Sequence, residues 1–278
     1  MTTTRVIGSG YPPELVTKLR ESTEAAALAA AEWFGRRDKN AADEAAVAAM
    51  RAVLATAPFD GTVVIGEGEK DAAPMLANGE RLGVGGPAVD IAVDPLDGTR
   101  LVAEGLPGSI CVIAIAPAGT MLARNDVFYM DKIVAGAAAH GILDLRNSVA
   151  DNVSALSAAL GKTRAELVVV VLDKPRHSAL LADLTAAGVT QRLVGEGDIS
   201  AAVAAADPDG DVDLVLGIGG TPEGIVAACA VRALGGFMQG RLAPQTAGEP
   251  RDGSDRILEL DDLVASDAVL FVSTPTAR

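Results

Sequence analysis

At 278 residues and 49% hydrophobic composition, the chain is long enough for one large domain or two closely packed ones, which excludes a disordered or fibrous protein. Its 23 Lys and Arg against 37 Asp and Glu leave a formal charge of −14, which repels DNA, RNA and anionic membranes, so neither nucleic acid nor membrane is an expected partner. An anionic small molecule stays admissible if a bound cation inverts the local field.

The N-terminus lacks the charged-then-apolar pattern of a signal peptide and no apolar run reaches membrane-spanning length, so a cytoplasmic protein is expected. Residues 14–34 and 40–57 mix alanine and leucine with charges and predict two amphipathic helices joined by Gly35-Arg36-Arg37-Asp38-Lys39. From Gly61 to about Leu145 short β-branched runs at 62–65, 89–93, 109–115 and 132–134 predict strands separated by Gly and Pro. Cys111 lies in one of these runs and Cys229 in Ala-Ala-Cys-Ala-Val, and both read as buried structural thiols.

Beyond Asp151 helices near 151–160, 176–187, 199–206 and 223–233 alternate with strands at 167–172, 191–194, 212–216 and 268–272, with a polar loop around 244–256. The fold class read from this is α+β for the first half, residues 1–150, and α/β for the second, residues 151–278, with the boundary in 146–162.

Between positions 67 and 97 stand Glu67, Glu69, Asp71, Glu80, Asp90, Asp94 and Asp97 against only Lys70 and Arg81. Carboxylates concentrated at strand ends repel one another, so they either solvate loop tips or gather a cation. An all-oxygen set with scarcely any histidine points to a hard ion, Mg²⁺ or Mn²⁺, rather than zinc. In Asp94-Pro95-Leu96-Asp97-Gly98-Thr99, Pro95 stiffens the exit from an apolar strand and Asp94 and Asp97 can converge on metal. Gly98 frees the backbone so that the following amides and the Thr99 hydroxyl can meet a phosphate.

That run resembles the metal-binding signature of the inositol monophosphatase and fructose bisphosphatase superfamily. The segments 35–43, 64–76 and 90–95, with Lys174-Pro175-Arg176-His177 and Gly217 to Gly224, are similar to class II fructose-1,6-bisphosphatases, and the resemblance runs from about residue 20 to the C-terminus. It implies the layered αβαβα sugar-phosphatase fold and a metal-dependent hydrolase that removes the C1 phosphate of a sugar bisphosphate. It further implies metal ligands at Asp43, Glu67, Asp94, Asp97 and Glu223, with Asp71 in the inner acidic shell. Catalytic roles fall to Thr99, Asp71 and Asp94. Asp97, Gly98 and Thr99 would meet the scissile phosphate, while Tyr129, Lys174, Arg176, Glu196, Gly197, Asp198 and Gly220 contact the sugar and second phosphate. Lys39 matches a basic position beside the metal segment, and a homo-oligomer is expected.

Read from the residues alone, Lys174 and Arg176 either neutralise a phosphate or cap the face of the next helix, and Asp198 either accepts sugar hydroxyls or caps a helix. Gly217-Ile218-Gly219 fails as a dinucleotide fingerprint because its third glycine falls on Pro222. His140 and His177 have no nucleophile context, and His177 reads as a helix-surface residue. Family members usually carry Asp at Glu196, a longer segment at 84–87, and further strands beyond the equivalent of Arg278. These departures favour a heptose or octose bisphosphate as the alternative substrate. A binding or regulatory protein without turnover is the rival class, disfavoured because the metal acids and Thr99 are all present.

Overall fold

The two alanine-rich segments form helices α1 (Pro13–Ala31) and α2 (Lys39–Leu54). The structure is a computed structural model that describes residues 4–67, 76–124, 126–246 and 248–276. Pro13 opens α1, where its missing N–H costs nothing, and the Asp38 side chain caps α2 by accepting the Ala41 N–H at 3.0 Å. On α1 the buried positions Leu15, Leu19, Ser22, Ala26 and Ala30 repeat at helical spacing.

These helices cover a six-stranded sheet built from β1 (Arg5–Gly8), β2 (Asp60–Ile65), β3 (Arg81–Leu82), β4 (Ala88–Asp97), β5 (Ile110–Pro117) and, from the far end of the chain, β12 (Leu270–Pro275). The spatial order is β1-β12-β5-β4-β2-β3. Only β2 and β4 run parallel. Ile91 and Val93 of β4, Ile113 and Ile115 of β5, and Leu270 and Val272 of β12 share the core under α1 and α2, on alternate positions as a pleated strand requires. Helix α3 (Thr99–Glu104) follows β4 directly.

The second sheet comprises β6 (Tyr129–Ala135), β7 (Val168–Leu172), β8 (Thr190–Val194), β9 (Leu214–Gly220), β10 (Phe237–Leu242) and β11 (Leu258–Glu259), in the order β11-β10-β6-β9-β7-β8. Helices α4 (Val149–Leu160) and α5 (Ser178–Ala187) supply Val153, Leu156 and Leu184 to a core with Ile133, Val169, Val171 and Leu216. Helices α6 (Asp198–Ala206) and α7 (Thr221–Leu234) pack against β6, β9 and β10, and α8 (Leu260–Leu263) follows β11. The connections β7-α5-β8 and β9-α7-β10 leave the neighbouring strands β7 and β9 in opposite directions along the sheet, so the carboxyl ends of β7 and β9 flank a topological switch point. Among the described residues no helix is long and apolar enough to cross a membrane.

Chain contacts divide the molecule into residues 1–123 with 264–278, and residues 124–263. The change of texture near 150 does not coincide with this division. β6 looks locally like the strands before it, and only its long-range pairing with β9 and β10 assigns it to the second sheet. The strand at the C-terminus, expected to close the α/β half, instead lies in the first sheet between β1 and β5.

Candidate active site

In the first unit the expected metal acids come from α2, from β4 and from the bridge segment just past β2. Asp43 lies on α2 and Asp97 at the end of β4, both buried, while Asp94 and Glu67 are half-buried. The run from Asp94 to Asp97 was expected to leave the strand, but β4 continues through it. Its pairing with β5 shifts register between Asp94↔Val112 and Asp97↔Ile110, so one extra residue is accommodated in β4. A bulge is where a strand tolerates proline, and the Leu96 N–H donates to Asp94 Oδ1 at 3.0 Å across it. Both carboxylates, after burial itself, push the buried Cys111 thiol well above its ordinary pKa, so their negative fields reach the same spot on β5. Cys111 is thus an inert structural thiol, as expected.

Gly98 then turns left-handed at φ 84° and opens α3, whose Leu101 N–H returns to Gly98 O at 3.0 Å, setting Thr99 at the first helical position. Glu67 bridges Ala77, and a side chain at Gly66 would strike Leu76 O at 2.0 Å, so glycine is required for these two segments to touch.

Two acids of the sequence cluster have structural partners. Asp90 accepts N–H bonds from Thr120 and Met121 at 2.9 and 3.0 Å, and Glu80 pairs with Arg51 at 2.6 Å. Asp71, expected in the acidic shell, and Glu69 lie outside the described residues. Among the described residues no three metal-capable side chains gather into a cage.

The second unit assembles a denser polar cluster. Lys132, only 5% exposed, projects from β6 and pairs with Asp198 at 2.5 Å while donating to Gly220 O at 3.3 Å. Asp198 is the first residue of α6 and does not cap it; Gly197, at φ 92°, holds the cap position. Glu223, in the first turn of α7, is pushed up by burial and then by Asp198, with Lys132 opposing. Its Oε2 is buried without a hydrogen-bond partner. A buried carboxylate oxygen left in this state suits a hard cation, so the donor chemistry fits the expected ion here.

Tyr129 pairs with Gly220 across β6 and β9. Arg176 lies with its guanidinium carbon 4.9 Å from the Tyr129 ring centroid and donates from Nε to Ile218 O at 2.9 Å. It therefore does not cap the surface of α5. Lys174 precedes the 3-10 turn Pro175–His177, and Glu196 stands half-buried between β8 and α6. The Gly217–Gly220 run acquires a physical reason unconnected with nucleotides. A Cβ would meet the His177 ring at 2.8 Å from Gly217, Asp198 Oδ2 at 2.2 Å from Gly219, and Glu223 Oε2 at 1.7 Å from Gly220. The backbone is bare because three polar side chains rest against it.

Two residues of this cluster were missed. Lys132 stands in Met130-Asp131-Lys132-Ile133-Val134 on the strand face shared with Met130 and Val134, and a charge at an inward strand position was the available signal. His177 is 2% exposed, which corrects its reading as a surface residue. Beside the cluster, Glu249 accepts N–H bonds from Phe128, Gln245 and Thr246 at 2.9, 2.8 and 2.8 Å. These amides lower its pKa from 4.5 to about 2. A depressed folded pKa contributes stability above the unfolded value that is lost as pH falls towards the folded one. Protection of the Phe128, Gln245 and Thr246 amides, taken relative to their intrinsic exchange rates, should therefore fall between pH 4.5 and about 2. Glu249→Ala should show the lowered protection already at pH 7; unchanged protection there would refute the clamp.

With this geometry in hand, the chain can be set beside known proteins. Residues 13–277 match the family of bacterial, glpX-encoded fructose-1,6-bisphosphatases. The Escherichia coli K12 protein named fructose-1,6-bisphosphatase 1 class 2 is 43% identical over 281 aligned residues, spanning 94% of this chain and 83% of that protein. The Shigella flexneri fructose-1,6-bisphosphatase class 2 matches with the same 43% identity and the same coverage. The resemblance in the acidic and glycine-rich motifs thus extends over nearly the whole length, and the chain belongs to the bacterial, glpX-encoded fructose-1,6-bisphosphatase family.

Proposed function

We propose that this chain is a phosphoric monoester hydrolase that removes the C1 phosphate of a sugar bisphosphate, with fructose 1,6-bisphosphate, named for the relatives, as the first substrate to test. The observation that carries the reading is the 43% identity over 94% of the chain to a protein of that name. The αβαβα sugar-phosphatase layering belongs to the same reading, supported by helices on each of the two six-stranded sheets.

In this reading Asp43, Glu67, Asp94, Asp97 and Glu223 are ligands of Mg²⁺ or Mn²⁺, with Asp71 beside them. The bound ion would supply Lewis-acid stabilisation of phosphoryl oxygens and a more acidic water. Gly98 and Thr99 hold the scissile phosphate, and the Thr99 hydroxyl orients the attacking water. Lys174 and Arg176 neutralise the second phosphate, and Tyr129 fixes the guanidinium plane by its ring face. Glu196, Gly197, Asp198 and Gly220 meet the sugar. Lys132 fixes the Asp198 carboxylate through their ion pair, leaving it aimed to accept hydroxyls.

The assignment divides the two ends of the substrate between different residues, and that can be measured. Arg176→Ala should chiefly raise KM for a bisphosphate and leave the matching 1-phosphate nearly untouched, whereas Thr99→Ala should lower kcat on both. A charge-assisted contact worth about 1.5–3 kcal/mol makes the Arg176 effect roughly 10- to 150-fold in kcat/KM. Equal losses on both substrates would place Arg176 at the reacting centre or in the fold. Running wild type on six-, seven- and eight-carbon bisphosphates settles the sugar. The longer Glu196 side chain is the residue to exchange for Asp if a heptose or octose is preferred.

A further inference from the structure

The parallel ladder between β7 and β9 ends early. Val169 pairs with Leu214 and Val170 with Val215, and beyond them the strands separate. In the gap lies the buried imidazole of His177. Its Nδ1 is 2.7 Å from Leu172 O, at the end of β7, and its Nε2 accepts the Ile218 N–H of β9 at 2.8 Å. A backbone N–H can only donate and a carbonyl can only accept, so these partners assign a neutral ring with its proton on Nδ1. The ring replaces the ladder bonds that the diverging strands no longer make.

The same residue of β9 also holds one of the proposed substrate residues. Ile218 O, in the following peptide unit, accepts from Arg176 Nε at 2.9 Å, so one residue of β9 is held by His177 at its N–H and holds Arg176 at its C=O. Arg176 and His177 are adjacent in the Pro175–His177 turn, which makes the link a closed loop of contacts rather than a chance neighbour. Gly217, at φ 119°, leaves room for the ring. A guanidinium on an exposed residue has many rotamers available, and a fixed acceptor at Nε together with the Tyr129 face removes most of them.

We propose that His177 is a positioning residue, which clamps Ile218 at its N–H and thereby fixes where Arg176, held at the Ile218 C=O, presents its guanidinium to the second phosphate; this rests on the reading of Arg176 given above. His177 touches no substrate in this account. It acts through the Ile218 backbone.

Two amide variants separate this from a general structural role, because each forfeits one of the two bonds. In His177→Asn the short side chain can still donate to Leu172 O but cannot reach Ile218, whereas in His177→Gln the longer one can accept from Ile218 N–H. Steady-state kinetics on fructose 1,6-bisphosphate and on fructose 1-phosphate, with Mg²⁺ or Mn²⁺ and with melting curves for both variants, give the comparison. His177→Asn should raise KM for the bisphosphate roughly 5- to 10-fold with little change in kcat, His177→Gln should stay near wild type, and neither should alter the monophosphate. In an Arg176→Ala background His177→Asn should add nothing. Equal effects of Asn and Gln, equal effects on both substrates, or full additivity with Arg176→Ala would overturn the proposal while leaving the Arg176 assignment intact. If Arg176→Ala itself spares the bisphosphate KM, the reading of Arg176 fails, and the positioning role falls with it. Should both amide variants melt below assay temperature, Arg176→Lys keeps the charge without the Nε bond. A wild-type KM for that variant would equally refute the link through Ile218.

Discussion

Asp94→Asn should lower turnover by on the order of 10²-fold or more, because an ion that supplies several kcal/mol of charge stabilisation depends on ligand charge. The substitution keeps shape and keeps an acceptor at Oδ1 for the Leu96 N–H, so the bulge in β4 survives and the melting temperature should hardly move. What is lost is one negative charge at the spot where Asp94 and Asp97 act together on β5. Rates measured against Mg²⁺ or Mn²⁺ concentration distinguish weaker ion binding, which excess metal rescues, from a defect in the loaded enzyme. A near-normal rate without added metal would mean that the acids of β4 are structural.

Lys132→Met should cost stability rather than only rate. Removing one partner of a buried ion pair strands the other, at a typical cost of about 3–5 kcal/mol. Here the stranded groups are two, since Asp198 is paired with Lys132 at 2.5 Å and Glu223 is already disfavoured as an anion by burial and by Asp198. The melting temperature should fall by on the order of 10 °C for a chain of this size. Adding Asp198→Leu to Lys132→Met should recover part of that loss, because an apolar pair is cheaper than an orphaned charge. A Lys132→Met protein as stable as wild type would show that water already solvates the pair.

Several regular elements were legible where one face of the pattern was buried, although β10, just as buried, was not read from the sequence. Helices α1, α2, α4 and α7 follow from their alanine and leucine spacing, and β7 from its run of valines. Edge strands β1, β3 and β11 were not, since short strands with exposed residues carry no alternation to read. In the site, Asp94, Asp97, Gly98 and Thr99 were found because motif chemistry is local. The roles of Lys132 and His177 depend on partners 66 and 41 positions away, which no local pattern contains. The same holds for Asp90 and Glu80, whose acidity was visible but whose partners Thr120, Met121 and Arg51 were not.

The placement of β12 has a consequence for synthesis of the protein. β12 pairs with β1 on one side and β5 on the other, so the first sheet joins residues near both ends of the chain. The unit from 124 to 263 is continuous and can complete its pairings once it has left the ribosome. The unit carrying Asp94 and Asp97 cannot. Until residues 270–275 emerge, β1 lacks its sheet partner and β5 exposes an open edge of buried residues, so the nascent acidic half is the aggregation-prone one and matures last.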